Sequence, residues 1–329
     1  MSDTNSKQLP PRPNAIATLV TSNDFLIGTQ ALLFSLRKTL KNAREYPPEI
    51  IVLTTLEKET NFSNIKTQCD RIINIPFIPS PQKSHVESWD SKCGFSKLNI
   101  FKLQEYDQIL YIDSDCLVLK DVSHLFQNPP DVIAAVPDFF PPDKFNAGVL
   151  HLRPSLSLYK KMMEVFKMNF ESYDGGDTGF LNHYFDDWYS KKDGRLAFKY
   201  NAQRYMYDVT YKKQSGYWDK GVGEAVILHY SSTPKPWDKK RGDNDLDNIW
   251  WNWYERSQNP RSEKRTKSTN VGTQRVQGSG HVEVAKRYKE LRKEGMGVKE
   301  AMEQARKEVG VFGKEENAGS KVAAMFGMA

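Results

Sequence analysis

The sequence predicts an α/β domain with a mixed, mainly parallel central sheet. The runs Ala15–Val20, Ile50–Leu53, Arg71–Ile75 and Gln108–Ile112 are apolar and of strand length. Helical segments separate them, as parallel pairing requires. At 329 residues the chain is one large domain or two small ones.

The elements follow in order. Residues 1–13 read as a disordered arm, polar and holding Pro10, Pro11 and Pro13. Ala15–Val20 is the first strand, and the polar stretch Thr21-Ser22-Asn23-Asp24 ends it. Phe25–Leu40 has Leu32, Leu33, Leu36 and Leu40 near helical spacing. The next strands follow Pro47-Pro48 and stop at Pro76. Gln108–Ile112 runs into Asp113. Val132–Val136, Ala147–Leu152 and Ala225–Tyr230 read as strands and Ser157–Phe170 as a helix. The aromatic cluster Trp250–Tyr254 closes the folded body, which spans 14–257. Residues 258–280 lose their hydrophobes and read as a disordered basic linker. Residues 281–329 form a short helical tail, with Val284, Tyr288 and Leu291 on one helix and Val298, Ala301, Met302, Ala305 and Val309 on another.

Composition narrows the function. The charge balance of 47 Lys+Arg against 41 Asp+Glu gives +6, too mild to demand nucleic acid. No window nears the ~18 consecutive apolar residues of a spanning helix, and the amino terminus has no apolar signal core. Cys69, Cys93 and Cys116 are odd in number and far apart, which excludes a disulfide framework and a Cys-based zinc site and suits a reducing cytosol.

Ligands of such sheets gather at the carboxyl ends of the strands. There Asp113-Ser114-Asp115 follows an apolar run directly. On extended chain the two carboxylates share a side and can both reach one hard divalent cation. Spacing alone leaves a metal-binding pair and a plain turn after the strand about equally open, because Asp-x-Asp arises about once or more by chance in a chain this long. Asp243-Asn244-Asp245-Leu246-Asp247 repeats it, but Asn248 and Tyr254 break an EF-hand pattern, so that cluster reads as a solvated loop. His229 closes another strand and suits Mn²⁺ as an imidazole ligand. Taken alone it reads as a partly buried structural histidine. Lys235, on the following loop, offers a phosphate a compact charge. Asp174-Gly175-Gly176-Asp177 is a tight turn before a helix, with Asp177 as its N-cap.

These pieces recur in a fixed order: Thr18-Leu19-Val20-Thr21-Ser22-Asn23-Asp24, Phe95-Ser96-Lys97-Leu98, Tyr111–Asp115, Phe145-Asn146-Ala147-Gly148-Val149, Asp174–Asn182, and His229-Tyr230 with Lys235-Pro236-Trp237. In that order they resemble glycosyltransferase family 8, most closely its glycogenin-like members, over Ala15 to Trp237. The resemblance implies a GT-A fold, Rossmann-like, and a retaining, Mn²⁺-dependent (or Mg²⁺-dependent) transfer of hexose from UDP-glucose or UDP-galactose. By the same resemblance Asp113, Asp115 and His229 hold the metal, flanking Ser114. Leu19, Thr21, Ser22 and Phe25 line the uridine pocket, Phe25 standing where the family has a stacking Tyr. Lys97 and Lys235 meet the donor, and Asn146, Ala147, Asp174, Asp177, Thr178 and Ser232 line the sugar and phosphate side. Asp177, Asp174 and Lys235 are the expected catalytic groups, with Asp177 nearest the reacting carbon.

The chain departs from the family pattern at Thr178, commonly Gln, and at Ala147 and Ser232, commonly Ser and Gly. Where glycogenin carries the Tyr that it glucosylates, Asp208 stands here, with Tyr205, Tyr207 and Tyr211 close by. The expected acceptor is therefore separate: a glycan, a protein or a polyol. Rival readings are self-glucosylation, a galactinol synthase-like transfer to inositol, and a silent scaffold whose tail recruits a partner. Neither nucleic acid nor membrane is expected, location is expected to be cytoplasmic, and a homodimer or a protein partner for the tail is compatible with the sequence.

Overall fold

The structure is a computed structural model. It describes residues 12–40, 47–57, 59–80, 94–138, 143–168, 172–209, 224–239, 241 and 245–259, with scattered positions from 287 to 308. Most of the expected arm, linker and tail, together with Cys93 and Tyr211, lies outside the described residues. The chain divides into Met1–Thr266 and Lys267–Ala329. In the second unit Arg287, Glu290, Leu291, Gln304 and Glu308 are helical, and Arg287 pairs with Glu308 at 2.5 Å.

In the first unit a six-stranded sheet has the order β3-β2-β1-β4-β7-β6, where β1 is Ala15–Val20, β2 Glu49–Thr54, β3 Arg71–Asn74, β4 Ile109–Ile112, β6 Ile133–Pro137 and β7 Phe145–Leu152. Strands β1 to β4 are mutually parallel, and β7 runs antiparallel to both β4 and β6. The sheet is mixed and mainly parallel, as the sequence predicts. A second sheet joins β5 (Cys116–Val118), β9 (Ile227–His229) and β8 (Ala202–Gln203).

The two-residue period of β1 explains the layering. Ala15, Ala17 and Leu19 face one apolar layer, with Leu98, Ile100 and Phe101 of the 3-10 helix Ser96–Lys102, with Met162 and Phe166, and with Phe180 and Leu181. Ile16 and Val20 face the other, built on Leu32, Leu33 and Leu36. The helices that supply these residues are α1 (Leu26–Thr39), α3 (Leu156–Lys167) and α4 (Asp177–Tyr184). The short α2 is Ser63–Lys66. Helix α3 starts where Ser155 Oγ accepts the Leu158 N–H at 3.2 Å, a side-chain N-cap. Helix α4 begins at Asp177 itself, with Gly176 rather than Asp177 as its N-cap.

A third cluster packs Leu117, Ala202 and Leu228 of the small sheet, with Tyr230 just beyond β9, against Met206, Leu246 and Trp250. These last come from α5 (Arg204–Val209) and α6 (Asp245–Gln258). Helix α6 corrects the solvated-loop reading for Asp245–Asp247, while Asp243 and Asn244 lie outside the described residues. Asp245 and Asp247 occupy its first turn, where carboxylates suit the helix dipole. Asp247 is buried against Arg204. No helix among the described residues is long and apolar enough to cross a membrane.

Candidate active site

The chain leaves β1 for β2 on one side and returns to β4 on the other, so the carboxyl ends of β1 and β4 flank a switch point. Thr21 and Ser22, half-buried, follow β1 there. The Leu19 side chain belongs to the apolar core. Phe25 sets its ring edge-on to Trp237 at 5.6 Å, and Lys235 Nζ lies 5.8 Å from its centroid.

Tyr111 and Asp113 share a side, as strand period demands, and the Tyr111 hydroxyl donates to Asp113 Oδ1 at 2.6 Å. The period then breaks. The Cys116 N–H returns to the Asp113 carbonyl at 3.0 Å, so Asp113, Ser114 and Asp115 form a turn. This is the turn the sequence leaves open beside the extended reading, and the two carboxylates take different partners. Asp113 meets Lys97 Nζ at 3.3 Å, while Asp115 meets His229 and Lys235. Strand register delivers the histidine, since Cys116 pairs directly with His229 across β5 and β9. His229 Nε2 lies 3.2 Å from Asp115 Oδ1, and Lys235 Nζ lies 2.6 Å from Asp115 Oδ2. Lys235 also donates to the Tyr230 carbonyl at 2.8 Å.

Lys97, on the 3-10 helix, spans the other half of the site. Its ammonium meets Asp177 at 3.2 Å and the Ala147 carbonyl at 3.1 Å. Helix α4 is pinned beside β7 by Asn182, which accepts from the Phe145 N–H at 2.9 Å and donates back to its carbonyl at 2.8 Å. Thr178 Oγ1 accepts from the Ala147 N–H at 3.4 Å. Asp174 is drawn into its own loop: Oδ1 accepts from Ser172 Oγ and from the Gly176 and Gly179 N–H groups at 2.8–2.9 Å. Gly175 turns that loop with φ +75°, a conformation that favours glycine.

Burial alone would raise the Asp115 carboxyl, but the Lys235 and His229 charges hold it well below the usual carboxylate range. Burial would likewise lower the Lys97 ammonium, and Asp113 and Asp177 overcome this and raise it. For Asp177 burial wins over the pull of Lys97, and its carboxyl is pushed up to about 6. Asp115, His229 and Cys116 form the one tight group of metal-ligating side chains among the described residues, and Asp113 stands outside it. Burial pushes the Cys116 thiol well up, so it stays protonated and suits a hard cation poorly. The site's donors for such a cation are a carboxylate and an imidazole nitrogen.

A model of glycosyl transferase family 8 matches residues 16–241. The chain belongs to that family. Glycogenin of Neurospora crassa is 28% identical over 265 residues, 76% of this chain and 36% of that protein. Glycogenin-2 of Saccharomyces cerevisiae (strain YJM789) is 30% identical over 273 residues, 73% of this chain and 70% of that one. The first of these relatives is thus spanned over little more than a third of its length. The solved galactosyltransferase LgtC, in complex with donor and acceptor sugar analogues, superposes with a TM-score of 0.52 at 16% identity, covering 74% of this chain and 95% of that one. The fold is that of the GT-A glycosyltransferases.

Within this family 8 chain, a ring of side chains that the sequence reading passed over supports the site. Asn201 Oδ1 lies 2.8 Å from His229 Nδ1, and Asn201 Nδ2 donates to Asn146 Oδ1 at 2.9 Å. Arg204 pairs with Asp247 at 2.8 Å and donates to the Ser232 and Pro234 carbonyls and to Ser232 Oγ. Ser232 is thereby part of the bracket that holds the Lys235 loop. Gln203 bridges Asp138 and Ser231. Asn201, Gln203 and Arg204 lie within one short polar segment with no periodicity to flag it. Its partners are far away in sequence, so no local spacing could have found it.

Proposed function

We propose that this chain is a retaining hexosyltransferase that moves glucose or galactose from a UDP-sugar to a separate acceptor, a protein-linked glycan or a polyol. Its divalent cation, Mn²⁺ in preference to Mg²⁺, is held by Asp115 and His229, while Asp113 stands outside that group and pairs with Lys97. The observation that carries this reading is the meeting of Asp115, His229 and Lys235 at the sheet's switch point. The imidazole in the donor set favours Mn²⁺. When bound, the cation supplies positive charge against the charge shed onto the departing UDP.

The protein's own groups do the rest. Phe25 offers a stacking face to the base. Lys235 already neutralises a carboxylate, and a diphosphate beside Asp115 gives its flexible ammonium a second anion to hold. Lys97 fixes Asp113 and Asp177 relative to each other. Asp177, ionised, faces the positive charge that develops on the anomeric carbon, an interaction stronger in the transition state than in the ground state. Retention then proceeds either through a glycosyl ester of Asp177, which the acceptor displaces, or by front-face attack, with the leaving phosphate oxygen taking the acceptor's proton. Asp208, standing where a self-glucosylating chain has its tyrosine, favours a separate acceptor.

The test is UDP release from a panel of UDP-sugars with Mn²⁺, Mg²⁺ or EDTA, followed by intact-protein mass spectrometry. The expected result is Mn²⁺-dependent release from UDP-glucose or UDP-galactose with no mass gain. Release from neither donor contradicts the assignment, and a mass increase in hexose steps replaces the separate acceptor by the chain itself.

A further inference from the structure

We propose that Asn201 is the positioning residue that presents His229 to the cation, by holding the hydrogen on Nδ1 and so leaving the Nε2 lone pair facing Asp115. The inference rests on the metal reading above and adds a residue to it.

The argument starts at Gly148, whose backbone N–H can only donate. It donates to Asn146 Oδ1 at 2.9 Å. The same oxygen receives Asn201 Nδ2 at 2.9 Å. With its amide NH₂ turned to Asn146, Asn201 presents Oδ1 to His229 Nδ1 at 2.8 Å. An amide oxygen only accepts, so Nδ1 carries the hydrogen. In the neutral ring the lone pair is then on Nε2, 3.2 Å from Asp115 Oδ1. Two acceptors facing each other at that distance are held by positive charge between them, a proton on Nε2 in the metal-free site or a metal cation in its place.

The chain of donors cannot be reversed cheaply. If Asn201 gave its NH₂ to Nδ1, its oxygen would meet Asn146 Oδ1. Asn146 would have to flip, and the Gly148 N–H would face an NH₂ group. Asn201 is wholly buried and His229 nearly so, and an unpaired donor in such surroundings is penalised. The ring itself is seated on Gly148, where a Cβ would come within 2.2 Å of His229 Cε1. Gly148 sets where the ring lies, and Asn201 sets which nitrogen is the ligand. Partners of this kind around metal-bound histidines fix tautomer and ring orientation.

The test uses the full chain and the variant Asn201→Leu, which removes the oxygen facing Nδ1 at similar volume. Mn²⁺ affinity is measured with UDP present, from the electron paramagnetic resonance of free Mn²⁺, and melting curves check folding. Asn201→Leu is expected to weaken Mn²⁺ binding roughly 10–100-fold. Unchanged affinity in a folded Asn201→Leu overturns the proposal. A second readout needs no metal: the ¹⁵N shifts of His229 in the metal-free wild type, at a pH where the ring is neutral. They are expected to show the Nδ1–H tautomer. An Nε2–H tautomer overturns the proposal, and this decides it even if Asn201→Leu does not fold. The expected tautomer with no Mn²⁺ affinity would overturn the metal reading, and with it the purpose assigned to Asn201.

Discussion

Asp177 is the residue whose chemistry depends most on its surroundings. Burial raises its carboxyl from an ordinary 3.8 to about 6, although Lys97 pulls the other way. A carboxyl raised in the folded state binds its proton more tightly there than in the unfolded chain. Its contribution to stability is therefore greatest below pH 3.8 and is lost as pH rises through about 6. At neutral pH the ionised group costs the metal-free fold roughly 3 kcal/mol at about 1.4 kcal/mol per unit. Asp177→Asn should accordingly stabilise the protein at pH 7.5 by roughly 1–3 kcal/mol in urea unfolding. The same change should cut UDP release about 100-fold or more. On the proposed mechanism, in which the ionised carboxylate faces the developing cation, wild-type turnover should climb as pH rises through about 6. A less stable Asp177→Asn would show that the Lys97 pair, not desolvation, dominates.

At the scale of elements, the loop that carries Lys235 is held from below. Arg204 on α5 bonds to Ser232 and Pro234 on that loop and to Asp247 on α6, and both ends of the ion pair are buried. Arg204→Met leaves Asp247 buried without its partner and should cost about 3–5 kcal/mol. The double variant Arg204→Met/Asp247→Leu should recover most of that loss in chemical denaturation, while UDP release stays low because the loop is no longer bracketed. Equal stability of the single and double variants would contradict this. The same pair marks where sequence reading reached its limit. Strands β1 to β4 were legible because their runs are apolar and of strand length, the third stopping at Pro76 and the fourth running into Asp113. Helix α6 was half legible: its aromatic residues announced burial, but the acidic residues at its start looked solvated. Nothing local pairs Asp247 with an arginine on another element. The turn at Asp113–Asp115 was one of two open readings, since an i, i+2 spacing is informative only while the backbone stays extended.

At the scale of the whole molecule, the switch point between β1 and β4 places the site, and β7 and β9 complete it with side chains from distant parts of the chain. The motif residues that meet there were legible from the family resemblance. The supporting ring of Asn201, Gln203 and Arg204 was not, because it exists only once β8 lies beside β9. Acid stability reports on the core as well as on the site. Burial holds the His151 imidazole down at about 4, below its ordinary 6.5. A depressed histidine is protonated first in the unfolded chain, so stability falls with pH from 6.5 to about 4, by roughly 3 kcal/mol in all. This slope opposes that of Asp177, so the pair nearly cancels in the wild type. His151→Gln should expose the Asp177 slope as a gain in stability from pH 6 to 4, read from melting temperatures. A further loss over that range would contradict the assignment.

The central claim, that Asp115 and His229 hold the cation required for loss of UDP, is tested most directly by Mn²⁺-dependent UDP release from Asp115→Asn. The account predicts a fall of about 100-fold or more, the several kcal/mol of charge stabilisation a metal supplies, in a variant that still melts cooperatively. Turnover equal to that of the wild type would contradict it.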